Sequence, residues 1–225
     1  MWDPTLDADA LAARFDHTLL LPVTTDDEMR QFSAQARGRG VAGECVAPVW
    51  VPLVAEVLAG TAVKFLTVVG FPLGFQTAAA KAFETADAVR AGADEIDMVL
   101  SRGLLQSGRY DAAQAEVRRV VDKADGRPVK VILETAALTE AEVKRAAEVS
   151  ERGGAAFVKT STGFGPGGAT VGVVRFLRSV VGDRMQIKAS GGIRTLADAR
   201  AMLEAGADRL GTSGTADILR EARAG

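Results

Sequence analysis

Short runs of β-branched and other apolar residues recur near residues 14–20, 41–46, 63–70, 94–99, 129–134, 155–160, 185–189 and 207–211. Each run has the length of a strand, so the pattern predicts eight strands. Between most of them lie Ala-, Glu- and Arg-rich stretches with helical periodicity, which predicts helices over Thr77–Ala91, Asp111–Ala124, Thr139–Arg152 and Thr195–Ala205. The joints Ala91-Gly92-Ala93-Asp94, Arg152-Gly153-Gly154-Ala155 and Ala205-Gly206-Ala207-Asp208 each put glycine after a helix, where a left-handed residue is wanted, and then enter a strand. Strands that alternate with single helices run parallel, because such a crossover returns the chain to the same end of the sheet. Eight units of about 28 residues fit a compact (β/α)8 TIM barrel, an α/β fold. No linker or shift of composition divides the chain, so residues 1–225 are expected to form a single catalytic barrel domain. A doubly wound open sheet would want a dinucleotide fingerprint after its first strand, whereas Gly38 and Gly40 precede a strand.

In such a barrel the reactive groups gather at the C-terminal ends of the strands. The candidates there are Asp16, Cys45, Asp97, Glu134, Lys159 and Lys188. Alternation on the fourth strand puts Glu95 and Asp97 inside the barrel and turns Ile96 and Met98 toward the helices. The fifth strand behaves likewise, with Lys130, Ile132 and Glu134 inward and Val129, Val131 and Leu133 outward. The interior is therefore expected to be unusually polar. For Lys130 the plainer reading is an ion pair with Glu95 or Glu134 that closes the barrel floor.

Composition sharpens the reading of the lysines. The chain has 7 lysines against 20 arginines, so it usually answers a need for positive charge with a group that cannot deprotonate. Lys159 and Lys188 lie 29 residues apart, one strand-plus-helix unit, and each runs into a polar, glycine-bearing turn. Two ammonium groups side by side favour the neutral form of one, and burial acts in the same direction. A neutral buried amine attacks carbonyls to give a Schiff base. The turns Ser190-Gly191-Gly192 and Gly211-Thr212-Ser213-Gly214, with Thr162-Gly163 beside them, offer backbone amides and helix N-termini where barrels bind phosphate.

Charge and cysteine content narrow the rest. A net charge of −2 with no basic cluster gives no case for nucleic acid or an anionic membrane, so the expected partners are small molecules or further copies of the chain. Cys45 and His17 are each the single residue of their kind, which argues against a disulfide or a structural zinc site. The start of the chain, Met1-Trp2-Asp3-Pro4, is acidic where a secretory signal would be basic, and the expected location is the cytoplasm.

These segments together resemble the deoxyribose-phosphate aldolase family of class I aldolases. The resemblance runs nearly end to end, through Asp16-His17-Thr18-Leu19-Leu20, Thr67 to Gly74, Gly92 to Val99, Lys130 to Thr135, Phe157 to Phe164 and Lys188 to Thr195. It implies that Lys159 forms the Schiff base, that Lys188 is the neighbouring amine that tunes it, and that Asp97 assists proton transfer. The implied reaction is reversible cleavage of 2-deoxy-D-ribose 5-phosphate to D-glyceraldehyde 3-phosphate and acetaldehyde, with no cofactor and no metal. Asp16, Thr18 and Cys45 are implied on the substrate side, with Cys45 and His17 read as shell residues and not as catalytic ones. Thr162, Gly163, Gly191, Gly192, Ser213 and Gly214 would hold the phosphate, and family habit implies a homodimer.

Some positions depart from the family's pattern. Glu44 and Ala47 flank the Cys45 segment in unusual company, Ser101-Arg102 puts a charge near Asp97, and Gly214 replaces a serine while keeping its amide. Three rivals remain: another class I aldolase with a different phosphorylated sugar, a catalytically silent barrel, and a metal-dependent barrel enzyme. Retention of Asp97, Lys159 and Lys188 argues against the silent barrel, and the near absence of histidine against the metal enzyme.

Overall fold

A computed structural model describes residues 7–224, so Met1 to Leu6 of the acidic N-terminus lie outside the described residues. The strands are Phe15–Leu19 (β1), Gly43–Val46 (β2), Lys64–Val69 (β3), Glu95–Val99 (β4), Val129–Ile132 (β5), Phe157–Lys159 (β6), Gln186–Ser190 (β7) and Arg209–Thr212 (β8). All pair in parallel with their sequence neighbours, and β8 closes on β1. The helices are Ala8–Ala12 (α1), Asp26–Arg37 (α2), Val51–Val57 (α3), Ala78–Arg90 (α4), Arg102–Gln106 (α5) and Tyr110–Lys123 (α6). Glu140–Arg152 (α7), Val171–Val181 (α8), Leu196–Glu204 (α9) and Thr215–Ala224 (α10) complete the outer ring. This is the (β/α)8 barrel that the alternation predicts.

Local chemistry explains the boundaries. Three predicted helices open on a threonine, and in each the threonine is the N-cap: Thr77, Thr139 and Thr195 accept from an amide three residues on. Glu142 and Asp198 reach back to complete capping boxes. Gly92 and Gly206 take the expected left-handed conformation, but at the α7 joint it is Gly154, not Gly153, that does so. Gly153 is glycine for a packing reason, since a Cβ there would meet Val117 Cγ1 at 2.5 Å. The fifth strand also stops earlier than predicted, at Ile132, because the chain turns at Glu134, a non-glycine residue with φ 58°.

Outward-facing strand residues, among them Ile96, Met98, Val131, Val158, Ile187 and Leu210, pack with the helices into one continuous apolar layer. The inward-facing residues stack in tiers contributed by alternate strands, as strand tilt in such barrels requires. Register and alternation place Gly43, Glu95, Phe157 and Arg209 on the floor, and Asp16, Leu66, Lys130 and Lys188 above them. Cys45, Asp97, Lys159 and Gly211 form the third tier, and Thr18, Val68, Ile132 and Ser190 the uppermost. Charge fills the side built from β4 to β8 and β1, whereas Leu66 and Val68 of β3 join Cys45 in a small apolar cluster under Leu20 and Phe71.

Candidate active site

Lys159 and Lys188 are register partners on β6 and β7, so their side chains project side by side. Both ammonium nitrogens donate to the same oxygen, Asp97 Oδ2, each at 2.8 Å. Lys188 is also 2.5 Å from Asp16 Oδ2. Lys130 lies 3.1 Å from Asp97 Oδ1 and pairs with Glu95, while Arg209 reaches Asp16 Oδ1 at 2.6 Å and Glu95 Oε1 at 3.6 Å. Lys130 therefore pairs with Glu95 and Asp97 and not with Glu134, which the strand's early end carries beyond reach of the floor.

Two glycines make room for this column. Asp16 is flanked in register by Gly43 on β2 and Gly211 on β8. A Cβ on Gly43 would lie 3.2 Å from Asp16 Oδ1, and one on Gly211 would lie 2.9 Å from Lys188 Cε.

The electrostatics follow from this crowding. Burial alone would raise the Asp97 carboxyl, but Lys130, Lys159 and Lys188 outweigh it and hold it well below the usual carboxylate range. Asp16 is likewise pushed up by burial and brought down further by Lys188, Lys130 and Arg209. Burial pulls the Lys188 ammonium down, yet Asp16 and Asp97 more than reverse it, and Lys188 stays protonated. The Cys45 thiol is pushed up to about 11 by burial, so it is an uncharged member of the tier.

Above the ion column opens a cavity of about 390 Å³ whose wall includes Lys159, Thr18, Thr162, Gly163, Ser190, Gly191, Gly192, Arg194, Gly211 and Ser213. Lys159 reaches this space, while Lys188, Asp97, Asp16 and Cys45 lie beneath its wall. Of the residues expected on the substrate side, Asp16 and Cys45 are thus placed one or two tiers down, Asp16 being engaged by Lys188 and Arg209. Thr18 does line the cavity.

The glycine turns divide in the same way. Gly163, Gly191 and Gly192 have φ of 86°, 83° and 80°, and among the described residues their amides and that of Ser213 donate to no protein group. Gly214 is different, since its amide donates to Thr212 Oγ1 at 2.9 Å and it is not on the cavity wall. The N-terminus of α9 is answered internally as well, with Asp198 Oδ2 accepting from the Arg194 and Thr195 amides at 3.0 Å. The loop after β6 is held over the site by Ala169, which donates to the Ser190 and Gly191 carbonyls. Glu134 anchors the start of that loop by accepting from the Thr162 hydroxyl and amide.

The departures from the family pattern sit mostly away from the cavity. Glu44 faces α2, accepts from Ser33 Oγ at 2.6 Å, and is raised by burial to about 7. His17, on the same outer face, stacks on Phe32 with ring centroids 3.8 Å apart and is lowered by burial to about 4. Arg102 stands 3.9 Å from Glu134 Oε2 and does not join the Asp97 network. Ala47 borders an apolar recess with Leu20, Leu21, Pro48, Val68, Phe71 and Phe164, which adjoins the cavity at Leu20, Leu21 and Phe164.

Sequence reasoning missed Arg209, whose inward direction follows from alternation with Leu210, and underweighted Lys130, which touches Asp97 as well as Glu95. No group of three or more His, Cys, Asp or Glu side chains among the described residues is arranged to hold a metal ion. No helix among them is long and apolar enough to cross a membrane.

The sequence profile of the DeoC/LacD family aldolases matches residues 53–221. A deoxyribose-phosphate aldolase of Caldanaerobacter subterraneus is 49% identical over 214 residues, covering 94% of this chain and 93% of its own. That of Staphylococcus epidermidis is 47% identical over 209 residues, covering 93% and 95%. The tetrameric deoxyribose phosphate aldolase of Aeropyrum pernix superposes with a TM-score of 0.90 at 34% identity, covering 96% of this chain and 92% of that one.

Proposed function

The chain belongs to the DeoC/LacD family of aldolases, and from that premise we propose that it cleaves 2-deoxy-D-ribose 5-phosphate reversibly through a Schiff base on Lys159. The observation that carries the role of Lys159 is its unequal share of the lysine pair. Both amines hold one oxygen of Asp97, but Lys159 opens to the cavity and Lys188 is buried between two carboxylates.

Lys159 Nζ adds to the C1 aldehyde of the open-chain sugar, and loss of water leaves an iminium. The iminium draws in the electron pair of the C2–C3 bond as the C3 hydroxyl gives up its proton. C3 becomes the carbonyl carbon of D-glyceraldehyde 3-phosphate, and C1 and C2 remain on Lys159 as an enamine. Protonation at C2 and hydrolysis of the imine release acetaldehyde and restore the amine. Asp97, ionised at any working pH, and Lys188, held protonated, move these protons through water. The amides of Gly163, Gly191, Gly192 and Ser213 take the phosphate at the far end of the cavity. The reaction is carried by residues 1–225 as one catalytic barrel, and its small phosphorylated substrate fits work in the cytoplasm.

Incubation with acetaldehyde, reduction with borohydride and peptide mass spectrometry test the assignment. The expected result is a gain of about 28 Da on the peptide bearing Lys159, as reduction of an acetaldehyde imine requires. A gain on Lys188, or none, overturns it.

A further inference from the structure

We propose that Glu95 and Arg209, on the barrel floor, set the pH at which Lys159 presents a free amine, acting through Lys130 and Asp16. The inference rests on the reading of Lys159 as the nucleophile. The connected column holds three carboxylates, Asp16, Glu95 and Asp97, and four bases, Lys130, Lys159, Lys188 and Arg209. In a poorly solvated interior an uncompensated charge is costly, so the column is most stable when one base gives up its proton. Arg209 cannot do so. Lys188 lies between two carboxylates, Lys130 also lies between two, and Lys159 has Asp97 alone.

Six of the other seven strands place a titratable or charged group inside the barrel with Lys159. Asp16 comes from β1, the Cys45 thiol from β2, Glu95 and Asp97 from β4, Lys130 from β5, Lys188 from β7 and Arg209 from β8. The inward residues of β3, Leu66 and Val68, carry no charge. Glu95 and Arg209 are the column members most exposed to solvent, at 9% and 17%. Two chains of ion pairs run up from them, Glu95–Lys130–Asp97–Lys159 and Arg209–Asp16–Lys188–Asp97, and the two meet at the floor where Arg209 lies 3.6 Å from Glu95. Phe157 shares the floor tier with them, with Lys130 and Arg209 at 5.4 and 5.9 Å from its ring centroid. That buried ring limits water at the floor and keeps solvent screening low beneath the nucleophile.

Removing the Glu95 charge releases Lys130 to hold Asp97 alone and leaves the column more positive. Both effects favour the free amine. Removing the Arg209 charge makes the column more negative and favours the ammonium. Glu95 and Arg209 are thus positioning residues with opposite signs, whereas a floor that merely closes the barrel would shift stability and leave the pH dependence of Lys159 in place.

The test measures the rate of borohydride-trapped acetaldehyde adduct on Lys159 as a function of pH in wild type, Glu95→Gln, Arg209→Met and the double variant. Melting temperatures are followed in parallel. The acid limb is expected to move down by about half to one pH unit in Glu95→Gln and up by a similar amount in Arg209→Met. The double variant, with its charge balance restored, is expected to return close to wild type. Should Arg209→Met not fold, the downward shift in Glu95→Gln decides the matter alone. Adduct on Lys159 with an unmoved limb, or shifts of the same sign in both single variants, overturns the floor's role and leaves the nucleophile standing. Adduct at another lysine overturns the nucleophile and the present inference with it.

Discussion

Lys81 and Lys159 are both buried lysines with a carboxylate partner, yet their surroundings differ in kind. Lys81, on α4 outside the barrel, donates to the Gly74 carbonyl at 2.8 Å, the Val99 carbonyl at 2.9 Å and Glu116 Oε1 at 2.8 Å. Its three donors meet three acceptors, and the other oxygen of Glu116 accepts from the Ser101 amide. Lys159 has one acceptor, shares it with Lys188, and faces a cavity. Burial pulls the Lys81 ammonium below the ordinary lysine range, with Glu116 lifting it part of the way back. A weakened ammonium is therefore not by itself a nucleophile. What sets Lys159 apart is donors left over and space in front of them.

The contrast can be broken most sharply by removing each amine. Lys159→Met is expected to lower kcat/KM for deoxyribose 5-phosphate cleavage by about 10,000-fold or more while the melting temperature stays near wild type. A variant retaining a tenth of the activity would falsify its role. Lys81→Met should do the reverse. It leaves Glu116 buried without its partner and is expected to cost about 3–5 kcal/mol in urea unfolding, with adduct formation on Lys159 preserved in the folded protein.

Smaller changes sharpen the same line. Gly211→Ala puts a Cβ 2.9 Å from Lys188 Cε, which must shift and take Asp97 with it. The expected loss is about 100-fold in kcat with little change in KM; an unaffected kcat would mean that the placement of Lys188 is not critical. Glu44 offers the smallest test, as a buried carboxyl outside the barrel with one partner. Its folded value of about 7 lies above the ordinary 4.5, so the stability that its neutral form brings is full below about 4.5 and is lost as pH rises through 7. Glu44→Gln should therefore add about 1–2 kcal/mol at pH 8 and nothing at pH 4, measured by denaturant midpoints.

Much of this was legible in the order of residues, because strand alternation and helix capping are local. Asp97 and Glu95 point inward for the same reason that Ile96 and Met98 point outward, and the threonine caps mark three helix starts to the residue. What stayed hidden depends on contacts between distant elements. Alternation with Leu210 turns Arg209 inward, but nothing in that strand of four residues declares the Asp16 and Glu95 that it meets. Lys81 and Glu116 sit on different helices, 35 residues apart, and nothing in either helix alone declares the pair. Gly214 looks like its neighbours in the turns, and only the hydroxyl of Thr212 removes its amide from use. The capping of α9 by Asp198 is visible as a motif, but its consequence, that the Arg194 and Thr195 amides are already taken, emerges only with the geometry.

The apolar wall over β3 has a consequence for redesign. The apolar side chains of Val68, Leu20 and Phe71 border the recess beside the cavity and enter no ion pair of the column, although Val68 is the register partner of Asp97 on the neighbouring strand. Carving or filling the outer part of that wall, at Leu20 and Phe71, is expected to alter which aldehydes gain admission while the ion column stays in place. A library confined to those positions would show whether selectivity and reactivity separate in this barrel.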